Sequence, residues 1–272
     1  MAITISNTAD TLIRTQKLAQ KKTADSLEKL SSGKQVNSAK DDAAGISIIN
    51  NFNAQSEGFS AAIESANSGI ALAQTADSGF SNIESGLQRI RDLALQAGNG
   101  ALDATQKKVL EDEANAVRTD ITQIAATTKF NERSVLGADA TLKFQVGAET
   151  GETKSLVTVN VDKALKDAGL NKLDFSSETK INEVITATDK GLVFVTDKSV
   201  EIGAFQNSVE SSIQNLAQRK VDTESSRSRI EDADVAKEVT KLVASQLQDQ
   251  AAQAVLAQAS PNKGIVEKLL SF

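Results

Sequence analysis

An uninterrupted heptad repeat runs from Phe59 to Ala97 and constrains the fold of this chain more than any other feature. Small and apolar residues recur there at alternating steps of three and four positions, the pattern of an α-helix that packs against other helices. At about 1.5 Å per residue, the helix would be roughly 58 Å long. Because one apolar stripe on so long a helix needs partner helices, we expect a rod or assembly subunit. The stripe, called here the central stripe, consists of Phe59, Ala62, Ala66, Gly69, Ala73, Ala76, Phe80, Ile83, Leu87, Ile90, Ala94 and Ala97.

The composition also favours a helical bundle and excludes most catalytic chemistry. Only 3% of the residues are aromatic and the chain has a single proline, as expected for thin aliphatic seams between long helices. The absence of His and Cys excludes a thiolate nucleophile, a Ser–His pair and a zinc site with the usual ligands. Since the sequence also has no glycine-rich phosphate loop, we predict that the protein is not an enzyme and uses no cofactor or metal.

Charge and hydropathy narrow the range of partners. A net charge of −6 argues against binding to nucleic acid through its phosphates. The first ten residues, MAITISNTAD, lack the basic and apolar regions of a cleavable secretory signal, and no segment has the length and hydropathy of a membrane span. We therefore expect no membrane insertion.

The N-terminal half of the sequence predicts three successive helices. The first covers residues 7–32, and a joint at Gly33–Asn37 follows it. Ser38 and Asp41 resemble a capping box, which predicts that the second helix begins there and continues through the central stripe. A third helix, antiparallel to the second, follows a sharp break at residues 98–100. Asp103 with Gln106 is predicted to open this third helix.

In the middle third of the chain, the spacing of apolar residues changes from the helical period to the alternation of a β-strand. Alternating apolar residues on either side of the sequence GAETGET predict a β-hairpin. These residues are Leu142, Phe144 and Val146 before it and Val157, Val159 and Val161 after it. Short helices are predicted at 163–168 and 180–188, and a short strand at 192–195. Because this third is rich in Gly, Thr, Asp and Lys, we expect it to be a surface excursion before the helical pattern returns at about Val200.

Both ends of the chain have the pattern of amphipathic helices, which we expect to pair with each other. Their apolar residues either contact neighbouring subunits or form the seam of a coiled coil within one chain, and the sequence leaves both alternatives open. These terminal coiled-coil residues are Leu12, Leu27, Leu30, Val239, Leu242, Leu247, Val255 and Leu256. The predicted core of the rod consists of Phe80, Leu87, Ile90, Val117 and Ile121.

Several runs of the sequence resemble bacterial flagellins. The run SLEKLSSGKQVNSAKDDAAG, from Ser26 to Gly45, is similar to the N-terminal signature of that family. Other runs in the family's order are LQRIRDLALQ at 87–96, KFN at 129–131, GAFQN at 203–207, SRIEDADVAKE at 228–238 and VLAQA at 255–259. The resemblance implies a mainly α fold: a rod-like bundle of long antiparallel helices, a paired N- and C-terminal coiled coil, and a small β-hairpin in the middle third.

The resemblance implies a structural subunit that self-polymerises into the bacterial flagellar filament for swimming motility. Residues 1–43 with 233–272 would form the terminal coiled coil that lines the inner tube. Residues 44–232 would form the helical rod and β-hairpin of the outer tube, with little or no extra outer domain. The alternative is a hook–filament junction protein or another coiled-coil adaptor, which shares the terminal helices.

The resemblance also implies partners and a location. The partners are further copies of the chain, other flagellins, a flagellar export chaperone, and the hook–filament junction and cap proteins. Since a filament lies outside the cell and no cleavable signal is present, we expect secretion by flagellar type III export to an extracellular filament.

Three sets of residues carry further hypotheses. Arg89, Leu93 and Glu113 match family positions contacted by the flagellin-sensing Toll-like receptor of animals. Arg89 and Leu93 lie off the central stripe, however, which favours a role in packing between filament subunits. Four aspartates raise the question of a calcium site, although capping of helix starts is the favoured role; they are Asp41, Asp42, Asp232 and Asp234. Candidate O-glycosylation sites are Thr150, Thr153, Ser155, Ser176 and Ser177.

Overall fold

The structure, a computed structural model, describes the backbone of residues 2–270 and the side chains of residues 10–258. It is mainly α-helical, as predicted. The helices are α1 (Ala2–Ser32), α2 (Ala43–Ala97), α3 (Ala104–Thr127), α4 (Val161–Asp167), α5 (Glu178–Glu231) and α6 (Val235–Leu270). The strands are β1 (Lys129–Phe130), β2 (Arg133–Ser134), β3 (Ala140–Gln145) and β4 (Thr153–Thr158). Contacts divide the chain into a terminal unit, with residues up to Ser56 and from Val221 onward, and a central unit, Glu57–Lys220.

The central stripe of α2 lies in the core of the central unit. All of its residues are buried, as predicted. Four of the five predicted rod-core residues are at most 2% exposed, and Val117 on α3 is half-buried against them. The heptad pattern therefore identified both the helix and the face that it buries.

Small residues on α2 allow side chains of other elements to reach its backbone. An added β-carbon at Gly69, Gly79 or Gly86 would lie 3.0, 2.5 or 2.8 Å from the nearest atom of a neighbour. These neighbouring atoms are Phe144 Cγ, Leu136 Cδ1 and Ile121 Cγ1, respectively. Since such distances are shorter than ordinary van der Waals contact, the three glycines set how closely β3, the β2–β3 segment and α3 approach the helix.

Of the two predicted helix starts, the one at α3 is confirmed and the one at α2 is wrong. Asp103 and Gln106 open α3, as predicted, and the structure shows that they do so as a capping box. By contrast, α2 begins at Ala43 and not at Ser38. The Asp41 carboxylate accepts hydrogen bonds from the backbone N–H groups of Asn37 and Ser38 at 3.1 and 3.0 Å, so it closes a turn ahead of the helix. The bond from Asn37 contributes most to lowering the pKa of Asp41.

The predicted hairpin is present, but the buried face of its second strand is the opposite of the predicted one. β3 and β4 pair antiparallel, with Leu142 opposite Leu156. Leu156 and Thr158 are buried, whereas Val157 is 53% exposed. The Thr158 hydroxyl donates to the carbonyl oxygens of Ala138 and Ala140 at 3.1 and 3.2 Å. Because this hydroxyl is satisfied, a threonine can occupy the inward position.

The predicted strand at 192–195 was wrong, since these residues lie inside α5. The helix places Val195 in the core, while Val193 is 61% exposed. The segments predicted as a short helix at 180–188 and as a later helix from Val200 belong to the same element. The β-branched and aromatic residues of this stretch carry only a weak strand preference, which packing of one helical face overrides.

The middle third is part of the core and is not the surface excursion that we expected. Leu170, Leu173 and Phe175, which follow α4, are all 0% exposed. Polar side chains of α3 bind the backbone of this segment. Phe175 N–H donates to Glu111 at 3.0 Å, Asn115 Nδ2 donates to Leu173 O at 3.1 Å, and Arg118 Nε donates to Leu170 O at 2.6 Å. These bonds satisfy backbone groups that would be costly to bury unpaired.

Candidate assembly surfaces

The terminal helices α1 and α6 pair with each other, as predicted. Hydrogen bonds connect residues 20, 23 and 26 of α1 to residues 249, 245 and 238 of α6, so the two helices are antiparallel. The buried and half-buried positions of the pair recur at steps of three and four on both helices, which defines a coiled-coil seam. On α1 they are Leu12, Gln16, Ala19, Thr23, Ser26 and Leu30, and on α6 they are Glu238, Leu242, Ser245, Asp249, Ala252 and Leu256.

The middle of this seam is polar. The hydroxyls of Thr23 and Ser245 are hydrogen-bonded at 2.9 Å. Ser26 Oγ donates to Glu238 Oε1 at 2.9 Å. The bond between the two hydroxyls contributes only about 0.5–1.5 kcal/mol net, and the bond to the Glu238 carboxylate about 1.5–3 kcal/mol. The seam is thus held in register by polar contacts and buries little apolar surface there.

The outer faces of the same pair are apolar. Leucines and valines remain between 43% and 60% exposed on both helices. They are Leu18, Leu27, Val239, Val243, Leu247 and Val255. Exposed apolar side chains in this number make the outer faces a candidate interaction site. The pair therefore keeps polar and small side chains in the middle of its seam, while larger apolar side chains are exposed on its outer faces.

The predicted terminal coiled-coil residues divide between these two surfaces. Half of them lie half-buried in the seam and half are exposed on the outer faces. The seam members are Leu12, Leu30, Leu242 and Leu256, and the outer members are Leu27, Val239, Leu247 and Val255. We missed the polar seam because we followed leucines and valines. The same three–four spacing is present in Gln16, Ala19, Thr23 and Ser26.

Two joints of the terminal unit are held against each other. Gly33, with φ +70°, ends α1, and its carbonyl accepts from Ala233 N–H at 2.9 Å. Gln35 N–H donates to Glu231 O at 2.6 Å. The Glu231 side chain lies 2.5 Å from Lys34 Nζ and 3.2 Å from Arg227 Nε. Backbone bonds and one largely buried carboxylate thus tie the α1–α2 joint to the α5–α6 joint.

The four aspartates considered as a calcium site bind backbone and hydroxyl groups instead. Asp42 accepts from Ala44 N–H at 3.0 Å and Asp234 from Lys237 N–H at 3.1 Å, both at helix starts. Asp232 is hydrogen-bonded to Ser228 Oγ, and Asp41 closes the turn described above. Within the described part of the chain, no cluster of acidic residues has the arrangement of a metal site.

Arg89 and Glu113 form an exposed ion pair between α2 and α3, with side chains 51% and 43% exposed. Leu93, which was expected beside them at the surface, is 1% exposed. It lies off the central stripe, but α2 is covered on more than one side within the central unit, so the neighbouring face is also buried. Of the three residues proposed as receptor contacts, the structure therefore leaves two accessible.

The central unit also exposes isolated large apolar residues. Val109 on α3 and Val200 on α5 are 63% and 66% exposed. The candidate glycosylation residues are exposed as well; they are Thr150, Thr153, Ser155, Ser176 and Ser177.

The seam residue Glu238 makes the terminal pair sensitive to pH. Lys241 Nζ donates to its carboxylate at 2.8 Å, and the Ser26 hydroxyl binds the other oxygen. The bond from Lys241 contributes most to lowering the pKa of Glu238; burial opposes it and the bond from Ser26 adds to it. Since the pKa is lower in the folded state, the ionised carboxylate stabilises the pair above the ordinary glutamate pKa, and this stabilisation is lost as the pH falls through the folded value.

We therefore expect acid to weaken the α1–α6 pair, and Glu238→Gln to remove part of that pH dependence. Amide exchange of α1 and α6 as a function of pH measures both effects. Glu28→Gln changes an exposed carboxylate on α1 and serves as the matched control, for which we expect the wild-type profile. An unchanged profile in Glu238→Gln would contradict the assignment.

Paired terminal helices with exposed apolar side chains are typical of a helical structural protein that assembles with other chains. No helix within residues 2–270 combines the length and hydropathy that crossing a bilayer requires.

Comparison with known proteins places the chain in a family. The bacterial flagellin N-terminal helical region matches residues 4–141, and the bacterial flagellin C-terminal helical region matches residues 185–270. A flagellin of Halalkalibacterium halodurans is 36% identical over 245 residues, which is 90% of each chain. Flagellin A of Vibrio anguillarum is 30% identical and aligns with 97% of this chain and 99% of its own. The chain belongs to the bacterial flagellin family.

Solved structures agree with this assignment. The crystal structure of Bacillus cereus flagellin superposes with a TM-score of 0.51 at 26% identity, covering 55% of this chain and 86% of that one. A protein described as a flagellar hook-associated protein from Vibrio parahaemolyticus shares the fold, with a TM-score of 0.59 at 12% identity over 71% of this chain and all of its own. As a flagellin, the chain is a structural subunit that self-assembles into the flagellar filament, and it is not an enzyme.

Proposed function

We propose that the outer faces of the α1–α6 pair are the contacts through which neighbouring subunits polymerise, so that the paired termini line the inner tube of the filament. The observation that supports this is the distribution of side chains in the pair, with a seam that is polar in its middle and with exposed leucines and valines outside. Burying the remaining half of such a side chain contributes about 1 kcal/mol. Several such residues per subunit, repeated along a helical array, would together favour polymerisation.

The same surfaces indicate which residues are proposed to form each tube of the filament. Residues 1–43 with 233–272 form the inner-tube coiled coil, and residues 44–232 form the outer tube. The segment between the two matched family regions, residues 142–184, supports the proposal that little or no extra outer domain exists. Its hairpin and its buried residues Leu165, Leu170 and Phe175 belong to the core of the central unit, so little of it is left to form a separate domain.

Electron microscopy of the purified protein after salt-induced assembly tests the proposed function. We expect filaments whose growth from added seeds depends on protein concentration. A hook–filament junction protein or adaptor would bind seeds without extending them. Seeds that stay unchanged over a range of protein concentrations would therefore contradict the filament-subunit assignment and favour the alternative.

The route to the filament is part of the proposal. Secretion through the flagellar type III apparatus brings the chain to an extracellular filament, with the N-terminal segment as the address. The exposed apolar face of α6 around Val243 and Leu247 supports a requirement for an export chaperone before assembly. In the assembled filament, the same terminal surfaces meet the hook–filament junction and cap proteins at the two ends, and other flagellins along its length.

The Arg89–Glu113 pair supports recognition of the free subunit by the animal Toll-like receptor that senses flagellin. We expect the monomer to activate the receptor and stabilised filaments to be inactive, because neighbouring subunits cover this surface. A receptor reporter assay measures both. Arg89→Ala should lower the potency of the monomer, whereas Arg91→Ala, which breaks the exposed ion pair with Asp189 at 2.8 Å, should not. Equal potency of filament and monomer would count against the proposal.

The exposed hydroxyls of the hairpin and of residues 176–177 support their availability for O-glycosylation. Residues 176–177 directly precede α5, and the hairpin hydroxyls lie at and beside the β3–β4 turn. Mass spectrometry of protein from its native host tests this.

A further inference from the structure

The turn between α2 and α3 contains Asn99 followed by Gly100, the only Asn–Gly pair in the sequence. Both residues are exposed. Asn99 N–H donates to Gln96 O at 3.1 Å, and Leu102 N–H donates to Asn99 O at 3.2 Å. The main chain of Asn99 is thus fixed on both sides, while its side chain lies at the surface.

The side chain of Asn99 folds forward over the next peptide. Its Oδ1 atom accepts a hydrogen bond from Ala101 N–H at 3.0 Å, which makes an Asx turn. The ring closed by this bond contains Cγ, Cβ, Cα and C of Asn99 and N of Gly100, the same five atoms that a succinimide joins. A nucleophile that attacks Cγ pushes negative charge onto Oδ1, where the Ala101 N–H already points. A donor in this position stabilises the developing charge, as in an oxyanion hole.

The nucleophile in question is the backbone nitrogen of Gly100. Gly100 has no side chain to obstruct its approach, and a β-carbon built at this position has no atom within 4 Å. Among the residues that the structure describes, its N–H has no hydrogen-bond acceptor. The nitrogen is therefore free of the contacts that would hold it away from the Asn99 side chain.

We propose that Asn99 is a site of spontaneous deamidation in the folded protein. The deprotonated Gly100 nitrogen attacks Asn99 Cγ and forms a new C–N bond; the bond from Cγ to Nδ2 breaks, and ammonia leaves with the proton. Water then opens the succinimide at either carbonyl, giving aspartate or isoaspartate at position 99. Water is the only co-reactant, and no electrons are exchanged.

The product changes the charge of the turn. The new carboxylate lies two residues beyond the C-terminal end of α2, where the helix dipole disfavours a negative charge. It also borders a surface that carries no charged side chain. This surface is lined by Leu95, Gln96, Leu102, Gln106, Val109 and Leu110. The isoaspartate form additionally lengthens the main chain of the turn by one carbon atom.

Peptide mapping by mass spectrometry of the full chain, aged in ¹⁸O-labelled water at mildly acidic and mildly alkaline pH, tests the proposal. We expect label to enter position 99, faster at the higher pH, together with isoaspartate detected by an isoaspartyl methyltransferase. Asn131, which is also exposed in a turn but precedes Glu132, is the internal control and should react more slowly.

Gly100→Ala is the matched variant, because the added methyl group has space and leaves the fold intact. It should slow labelling at least about tenfold, which corresponds to about 1.4 kcal/mol in the activation barrier. Labelling of Asn99 that is no faster than that of Asn131, or that is equally fast in Gly100→Ala, would overturn the proposal.

Discussion

Leu247→Asp should give soluble, partly helical monomer, no filaments and non-motile cells. Leu247 is 60% exposed on α6, on the side of the pair away from the seam. In the proposed inner tube, an aspartate at this position would be an unpaired ion in a buried contact, which costs several kcal/mol per subunit. Because every subunit of a helical array carries the same defect, growth should stop altogether. Electron microscopy after salt-induced assembly and a motility assay measure the effect.

Gln246→Glu is the matched control for this variant. It adds the same charge to the adjacent, already polar and exposed position of α6, and we expect it to assemble. Circular dichroism should show that both variants keep the helices of the central unit. Filaments of normal length from Leu247→Asp would show that the outer face of α6 is not an assembly surface.

Deletion of residues 26–45 should retain the protein inside the cell. These residues contain the end of α1, the joint and the start of α2, and they carry the run that we propose as the type III export address. In the proposed export route the chain passes unfolded through a narrow channel, so loss of folded structure by itself should not stop secretion. Immunoblots of cells and culture medium measure the distribution.

A deletion of the same length, residues 140–159, provides the control. It removes the β3–β4 hairpin and disrupts the core of the central unit, but leaves the address intact. We expect it to be secreted. Normal secretion of the 26–45 deletion, or retention of both deletions, would contradict the proposed address.

The sequence predicted the central unit's main helix because its signal is periodic over many turns. Every residue of the central stripe indicates the same buried face of the helix, so a few local exceptions would not change the prediction. The terminal pair was predicted as a pair for the same reason, but its surfaces were assigned only in part. Leu27 and Leu247 are as apolar as Leu30 and Leu242, and hydropathy cannot show that the first two face outward while Thr23 and Ser245 face each other.

The middle third was misread because its burial depends on partners distant in sequence. The segment Leu170–Phe175 looks like a polar loop until the side chains of Glu111 and Arg118 satisfy its backbone. On α3, these two residues look like part of a solvated face. The strand predicted at 192–195 failed for a related reason, since a short apolar run fits a strand and a buried helix face equally well, and only tertiary contacts decide between them.

The three glycines of α2 have a mechanical consequence. At three successive levels along the helix, the side chains of Phe144, Leu136 and Ile121 sit where a β-carbon would otherwise be. Because interiors are closely packed, a rotation of α2 about its own axis would displace these neighbouring side chains. We therefore expect a twist applied at one end of α2 to move β3, the β2–β3 segment and α3 together with the helix.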